Sequence, residues 1–206
     1  MSDEHPHVPE SAAEAVDPDE QALADAGLSS EELAVRRDAL SQIRQFGDPV
    51  LRSEARSIEN FDEQIQAQAA RMIALMDRSY GIGLAAPQIG ISNRLLVYRV
   101  GDSAPIVLAN PVIEWSSEDE ESFQEGCLSL ANVHVDVDRA IHVRVVGKDA
   151  SGDRIKIEAS GLNARVIQHE MDHLDGVLIL DRASKDQRKE ALRALREAEE
   201  RTGFAA

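Results

Sequence analysis

The sequence predicts an α+β fold: a single domain in which antiparallel or mixed sheets surround a central helix carrying the motif H-E-x-x-H, with a further helix at the C-terminus. Two observations support this prediction. Apolar residues recur with a helical period in one segment before residue 80 and in another after residue 160, and with a period of two between them. Because the strands are grouped and do not alternate with helices, the pattern favours α+β over α/β.

Residues 1–40 differ from the rest of the chain in composition. They contain eleven acidic residues against two arginines, Arg36 and Arg37, and so hold −9 of the net charge of −16. A segment with so much like charge and so few apolar residues cannot bury enough surface to fold alone, which predicts disorder from residue 1 to about 26. A short helix is expected over Glu31–Leu40, with Ser30 as its N-cap. We therefore divide the chain into an acidic, disordered N-terminal extension, 1–40, and a folded domain, 41–206.

The folded part begins with a helix over Asp62–Ser79, whose apolar residues lie on one face. Helical character returns at Gly161–Leu174, followed by a short strand at Val177–Leu180 and a charged helix from Ser184 to about Arg201. Between the two main helices, alternating apolar residues predict strands. These strands are Leu95–Val100, Ile106–Leu108, Val112–Trp115, Val133–Val137, Ile141–Val146 and Arg154–Ala159.

Composition excludes several classes of function. The net charge of −16 argues against a nucleic-acid-binding surface over the whole chain. The sequence has no apolar run of the roughly 20 residues that a membrane helix needs. Its acidic N-terminus resembles neither a signal peptide nor a transit peptide, so we expect a cytoplasmic protein. Cys127 is the single cysteine, so an internal disulfide is excluded.

The motif H-E-x-x-H stands in the second main helix. Residues four apart on a helix project from the same face, so His169 and His173 are expected to lie one turn apart, where two imidazoles can bind one divalent cation. Glu170 lies close enough to the cation to handle protons without being a ligand. Apolar residues on both sides of the pair predict that the histidines are buried, and buried imidazoles usually have a partner. The motif therefore predicts a metal site.

A third ligand is expected from elsewhere in the chain. One class of zinc peptidases would require a His at position 179, where this chain has Ile179, and another would require a downstream Glu. The downstream candidates, Glu190 and Glu197, lie in a charged helix expected to face solvent. Cys127 is the better candidate, because the preceding Gly126 allows backbone to approach a ligand closely. Three protein ligands leave a coordination position open, as catalytic sites require.

Three segments follow one another along the chain: Gly81–Gln88 (GIGLAAPQ), Glu125–Ser129 (EGCLS) and Gln168–Leu174 (QHEMDHL), with Phe46–Arg52 (FGDPVLR) near the start. In this order they resemble the signature motifs of the peptide deformylases. The resemblance covers the chain from about residue 42 to the C-terminus and leaves out the first forty residues. It implies an amidohydrolase that removes the formyl group from N-terminal formylmethionine of new polypeptides and releases formate.

The resemblance also implies a role for each matching residue. It makes Glu170 the general acid and base, and it makes the side chain of Gln88 and the backbone N–H of Leu128 the donors to the oxyanion. The metal ligands that it implies are Cys127, His169 and His173. The residues that it implies for pairing with the substrate backbone are Ile82, Gly83 and Gly126.

The identity of the metal is where two arguments differ. One thiolate and two imidazoles suggest zinc, whereas the resemblance implies Fe2+, with Ni2+ or Co2+ as substitutes. We follow the resemblance. The chain departs from the family pattern at Ala131 and Asn132, where Pro and often Gly are common, and at His134, which is often Arg. We expect these departures to affect peptide preference and not the reaction.

Other hypotheses remain open. A zinc peptidase leaves Cys127 unexplained, and a deformylase-like binder without turnover would require the loss of Glu170, Gln88 or a ligand. For partners we expect N-formylmethionyl peptides and a monomeric enzyme, with no membrane and no nucleic acid. Residues 1–40 are a candidate segment for docking to the ribosome.

Overall fold

The computed structural model describes the backbone of residues 18–202 and the side chains of residues 21–198. Its strands form two antiparallel sheets. The strands are β1 (Gly83–Ala85), β2 (Leu95–Tyr98), β3 (Ile106–Ser116), β4 (Glu120–Cys127), β5 (Leu130–Ala140), β6 (His142–Lys148) and β7 (Arg154–Ser160). The larger sheet has the order β1-β2-β3-β6-β7, and β4 pairs with β5 in the smaller one.

Helices surround these sheets and one of them lies between the two. They are α1 (Pro18–Asp25), α2 (Ser30–Leu40), α3 (Glu63–Arg78), α4 (Leu162–Leu174), α5 (Ile179–Arg182) and α6 (Lys185–Thr202), with short 3-10 helices at Pro49–Arg52 and Ala86–Ile89. Helix α4 contacts strands of both sheets. The predicted α+β fold, its central helix and its C-terminal helix are therefore confirmed. Among the helices of the described residues, none is long and apolar enough to cross a membrane.

The central helix is held by an apolar face that is almost fully buried. Ile167 and Leu174 have no exposed surface, and Met171 is 8% exposed; all three belong to one core cluster with residues of β2, β6 and β7. Full burial of side chains of this size stabilises the fold by about 1.5–3 kcal/mol each. The helix starts after Gly161, and the chain turns at Gly176, whose φ of +69° is in the left-handed region that glycine tolerates best. This packing fixes the direction in which the polar face of α4 points.

The N-terminal segment is more structured than its charge indicates. Helix α2 begins one residue earlier than expected, with Ser29 as N-cap, because Ser29 and Glu32 form a reciprocal capping box. Ala39 is fully buried in the same core cluster as residues of α3. The structure also differs from the expected disorder at α1, which contacts α2. The expectation for residues 1–17 lies outside the described residues, and the domain boundary at residue 40 stays a prediction.

Three local expectations were wrong or incomplete. The strand expected at Val177–Leu180 is absent, and a short helix starts at Ile179, because the Asp181 carboxylate accepts a hydrogen bond from the Leu178 N–H at 2.9 Å and caps it. The two strands expected on either side of Asn110 form one strand, β3, with irregular register near that residue, whose φ is +49°. Strand β4 was not predicted, since its acidic sequence has no apolar alternation.

Candidate metal centre

The three expected metal ligands converge in the folded chain. Helix α4 carries His169 and His173 one turn apart, with ring centroids 5.0 Å from each other. Cys127 ends β4 at a shift in strand register, which aims its Sγ at His173 Nε2 from 3.2 Å. One donor atom from each of the three side chains lies within 4.8 Å of the other two. The motifs predicted these three residues as one set of ligands, and in the structure their donor atoms lie close together.

This set of donors fits a divalent first-row cation. A sulfur and two imidazole nitrogens suit such metals, and three protein donors leave a coordination position open. His173 is 1% exposed, and no described residue accepts or donates a hydrogen bond at its Nδ1. Burial lowers the pKa of His173 well below 6.5, with the neighbouring His169 acting in the same direction. Both effects favour the neutral form of the ring, which is the form that binds metal.

Glu125 holds the His169 ring in place, a role that the sequence reasoning missed. Its Oε2 lies 2.9 Å from His169 Nδ1, which leaves Nε2 as the nitrogen for a cation. Arg139 bonds to both oxygens of Glu125 at 3.0 Å, and Arg165 bonds to one at 2.8 Å. Burial opposes ionisation of Glu125, but the hydrogen bonds from His169 and Arg139 outweigh it and hold its pKa well below the usual range. A fixed, ionised carboxylate thus orients one ligand.

Arg139 also links Glu125 to a second residue of helix α4, Asp172. Asp172, which lies between Glu170 and His173 in sequence, accepts hydrogen bonds from Arg139 and from Arg182. Arg139 is 4% exposed, and its two carboxylate partners offset the cost of burying its positive charge. Glu125, Arg139 and Asp172 therefore form a buried chain of charges beneath the candidate ligands.

Glu170 is buried beside the ligands and closely packed against β1. Glu170 is 4% exposed, and its Oε2 has no hydrogen-bond partner among the described residues. A Cβ at Gly83 would lie 2.2 Å from Glu170 Oε1, so only glycine leaves room for the carboxylate there. Burial raises the pKa of Glu170 to about 7. A carboxyl group with this pKa can both accept and return a proton near neutral pH.

The Gln88 amide faces the same centre from a 3-10 helix. Its Oε1 accepts a hydrogen bond from the Ala85 N–H at 2.8 Å, which fixes the amide and directs Nε2 towards the metal centre. Nε2 lies 3.7 Å from Cys127 Sγ and 3.2 Å from Ser129 Oγ. Leu128 follows Cys127 and is anchored through its carbonyl, which accepts a hydrogen bond from Gln45 at 3.1 Å. Both expected oxyanion donors therefore lie next to the candidate ligands.

A cavity of about 620 Å³ opens onto this centre and is lined by Cys127, His169 and Glu170. Strand β1 ends the larger sheet, and β4 has a single partner strand, so each has an unpaired edge among the described residues. Residues of the chain leading into β1 and residues of β4 line the cavity. The cavity rim carries exposed apolar side chains: Tyr80, Ile82, Phe123 and Leu162. An extended apolar peptide suits such a groove, because it can pair with strand edges.

The three residues expected to pair with substrate backbone all lie at this groove. Gly83 starts β1, Ile82 precedes it, and Gly126 lies in β4. The carbonyl of Ile82 already accepts a hydrogen bond from the Arg99 N–H at 2.8 Å. Gly126 pairs with His134 in β5, and a Cβ at Gly126 would lie 3.0 Å from His134 Nε2. The His134 ring therefore covers the outer face of β4, at the edge of the groove.

One of the three departures from the family pattern, Asn132, has a local explanation. Asn132 has a φ of +59°, a left-handed conformation in which Asn replaces Gly at lower cost than most residues. Ala131 and His134 both line the cavity. His134 alternates with the buried Val133 and Val135, as its sequence pattern predicted.

Comparison with known proteins agrees with these motifs. The family model described as "Polypeptide deformylase" matches residues 40–189. "Peptide deformylase" from Acidothermus cellulolyticus is 45% identical over 161 residues, which cover 78% of this chain and 88% of that protein. The protein of the same name from Thermotoga maritima is 44% identical, over 71% of this chain and 89% of the relative.

Solved structures give the same result. The crystal structure of a peptide deformylase from Legionella pneumophila matches with a TM-score of 0.74 and 37% identity, over 80% of this chain and 98% of that one. The structure of a peptide deformylase from Synechococcus elongatus in complex with actinonin matches with a TM-score of 0.71 and 42% identity, over 80% and 86% of the two chains. Sequence, fold and site geometry agree: the chain belongs to the peptide deformylases, a family of metal-dependent hydrolases.

Proposed function

We propose that this chain hydrolyses the formamide at the N-terminal formylmethionine of newly made polypeptides and releases formate. The observation that carries the proposal is the convergence of one thiol and two imidazoles with a buried carboxyl group of near-neutral pKa, at the floor of a groove between two strand edges. The relatives named peptide deformylase support the same reaction.

The substrate binds as an extended strand in the groove between β1 and β4. Ile82, Gly83 and Gly126 offer backbone groups to it, and the absence of side chains at the two glycines lets the peptide approach closely. The apolar rim accommodates the methionine side chain and the residues after it. This arrangement recognises the peptide mainly through its backbone, which suits an enzyme that must act on many different new proteins.

The metal in this proposal is Fe2+, held by Cys127, His169 and His173. When bound, such a cation supplies Lewis-acid chemistry, which polarises a carbonyl and activates water as a nucleophile. Ni2+, Co2+ and Zn2+ are expected substitutes, because the same thiolate and imidazole donors accept all of them. Glu125 supports the site by orienting His169, as described above.

Glu170 moves the proton that the hydrolysis requires. Its carboxylate accepts a proton from the attacking water as the new C–O bond forms at the formyl carbon. It then returns that proton to the amine nitrogen as the C–N bond breaks, so formate and a free N-terminus are the products. Burial at a pKa of about 7 keeps both protonation states accessible.

Two neutral donors stabilise the negative charge that develops on the formyl oxygen. They are the side-chain amide of Gln88 and the backbone N–H of Leu128. The bond from Ala85 fixes the Gln88 amide before the reaction, so little reorganisation is needed in the transition state. Removing one donor of this kind typically lowers kcat by about 10²- to 10³-fold.

The proposed setting follows from the substrate. New polypeptides carry the formyl group in the cytoplasm as they leave the ribosome, so we place the enzyme there, as a monomer. Residues 1–40 are proposed to dock to the ribosome. Deleting residues 1–17, the part of this segment before α1, should weaken co-sedimentation with ribosomes without changing turnover of free peptides; unchanged sedimentation would refute a docking role for residues 1–17.

The test of the proposed reaction is formate release from formyl-Met-Ala-Ser by protein purified without oxygen, with acetyl-Met-Ala-Ser as the matched control and with elemental analysis of the metal. We expect turnover of the formyl peptide alone, with about one equivalent of iron. Cleavage of internal peptide bonds, or no formate from a fully metal-loaded protein, would refute the proposal.

A further inference from the structure

The Arg36 side chain lines the cavity and has no hydrogen-bond or ion-pair partner among the described residues. It lies in α2, before residue 40, where the match to the family model begins. The residue is 7% exposed, and its buried Nε has no hydrogen-bond partner among the described residues. No carboxylate of residues 21–198 forms an ion pair with it. Such burial is unusual for a charged group that has no counter-charge.

The guanidinium lies on the substrate side of α2. Arg36 and Leu40 are one helical turn apart on the same face, and both line the cavity that contains Cys127 and Glu170. Leu40 and Leu128 pack against the same core cluster. Helix α2 therefore contributes one cationic side chain, Arg36, to the lining of the cavity.

A second arginine, Arg165, also lines the cavity, but its guanidinium has hydrogen-bond partners inside the protein. Arg165 bonds to Glu125 at 2.8 Å, to the Val137 carbonyl at 2.8 Å and to the Glu121 carbonyl at 2.6 Å. The charge of Arg165 is thus compensated by Glu125, whereas Arg36 has no counter-charge among the described residues and can bind an anionic group that enters the cavity. Glu125 cannot serve Arg36, because its oxygens are taken by Arg139, Arg165 and His169.

We infer that Arg36 is a specificity-determining residue that binds a carboxylate of the peptide substrate. The carboxylate comes either from an acidic side chain at the second or third residue or from the free C-terminus of a short peptide. A guanidinium binds such a group through charge-assisted, often bidentate hydrogen bonds. The inference rests on the proposed function, because it assumes that a formylated peptide occupies the cavity.

Matched substrate pairs test the inference in the wild-type holoenzyme. The neutral reference is formyl-Met-Ala-Ser amide. Each acidic peptide is compared with its uncharged isostere: Glu against Gln at the second residue, Glu against Gln at the third, and the free C-terminal acid against the amide. We expect a KM about tenfold lower for the acidic member of at least one pair, as hydrogen bonds to charged groups predict. The pair that shows the effect identifies the source of the carboxylate.

Variants of α2 separate recognition from packing. Arg36→Met should remove the KM difference within the responsive pair, and Arg36→Lys should retain part of it, because it keeps the charge and loses the bidentate geometry. Arg37→Met is the control: Arg37 is exposed on the same helix, so this variant changes the net charge equally and should keep the full difference.

Equal KM values within every pair for the wild-type enzyme would overturn the inference, and so would an Arg36→Met enzyme that keeps the wild-type difference. A loss of kcat that is equal for acidic and neutral peptides in Arg36→Met would also overturn it, since that result indicates a structural role. If no formylated peptide releases formate, the proposed function itself is overturned. This outcome differs from equal KM values in an active enzyme, which overturn only the role of Arg36.

Discussion

Replacing Gly83 with alanine should displace the proton-handling carboxylate without touching a metal ligand. A Cβ at this position would lie 2.2 Å from Glu170 Oε1, 2.8 Å from its Cδ and 2.9 Å from its Cγ. Heavy atoms at a methyl group need more than 3 Å, so the carboxylate must move by about 1 Å. Gly83 does not have a positive φ, so alanine introduces no backbone strain and the effect is steric.

A shift of this size has a predictable kinetic result. A misplacement of about 1 Å in an active site costs about 10²-fold in rate, which corresponds to about 2.7 kcal/mol in the activation free energy. We expect kcat for formyl-Met-Ala-Ser to fall by about 10²-fold in Gly83→Ala while the metal content per chain stays at the wild-type level. Formate release under saturating peptide measures the first quantity, and elemental analysis measures the second.

Two further variants make this prediction refutable. In Gly81→Ala the new Cβ would meet Leu128 Cδ1 at 2.9 Å, the end of a flexible side chain that can rotate away, so the loss should stay below about tenfold. Under saturating peptide, Gly83→Ala combined with Glu170→Gln should have a kcat no lower than that of Glu170→Gln alone, because an effect of the methyl group on peptide binding appears in KM and its effect on kcat acts through Glu170. An unchanged kcat in Gly83→Ala, or additive losses of kcat in the double variant, would show that Gly83→Ala does not act by displacing Glu170.

Three further predictions concern stability and metal binding. Tyr80 lies two residues after the end of α3 and has a φ of +58° in the left-handed region, so Tyr80→Gly should be more stable than Tyr80→Ala by about 1 kcal/mol, measured by urea unfolding; the usual order, with alanine more stable, would contradict this assignment. Arg139→Met leaves Glu125 and Asp172 buried without their shared partner and should lower the free energy of unfolding by about 3–5 kcal/mol, and a change below 1 kcal/mol would show that the network is not stabilising. Removing the metal with a chelator should lower Tm, and adding Fe2+ or Zn2+ should restore it in wild type but not in Cys127→Ala; recovery in that variant would refute Cys127 as a ligand.

The parts of the fold that were predictable have strong local periodicity. Helix α3 was expected over Asp62–Ser79 and observed within one residue at each end, because its apolar face has a clear helical period. In β5, Val133 and Val135 are buried and His134 is exposed, as their alternation indicated. The Val177–Leu180 segment was too short for its period to distinguish strand from helix, and the Asp181 cap decided the outcome.

The residues of the candidate site could be proposed from the sequence where they fall within motifs. His169, Glu170 and His173 follow from helical spacing alone, and Cys127 follows from the exclusion of other third ligands and from the family resemblance. The supporting residues were not predictable in this way: Arg139 and Asp172 join Glu125 from positions 14 to 47 residues away, and no local pattern marks such pairing. A usable signal for Glu125 did exist, since it stands two residues before Cys127 in the matched EGCLS segment.

Arg36 was missed for a different reason. Composition assigned it to an acidic extension that is too polar to fold by itself, and this argument holds for an isolated segment. The segment is not isolated, because Ala39 is buried against α3 and the Ser29–Glu32 capping box starts the helix. Tertiary contacts of this kind override composition, and they bring a charged residue of α2 to the cavity wall.

The most direct test of the central claim is formate release by Glu170→Gln in a preparation that carries a full complement of metal. The substitution keeps the size of the side chain and removes its ability to carry a proton to the leaving amine. We predict metal content equal to wild type and a kcat for formyl-Met-Ala-Ser lower by about 10²- to 10⁴-fold. A fully metal-loaded Glu170→Gln enzyme with wild-type turnover would contradict the proton-transfer role of Glu170, because the reaction would then proceed without the carboxylate.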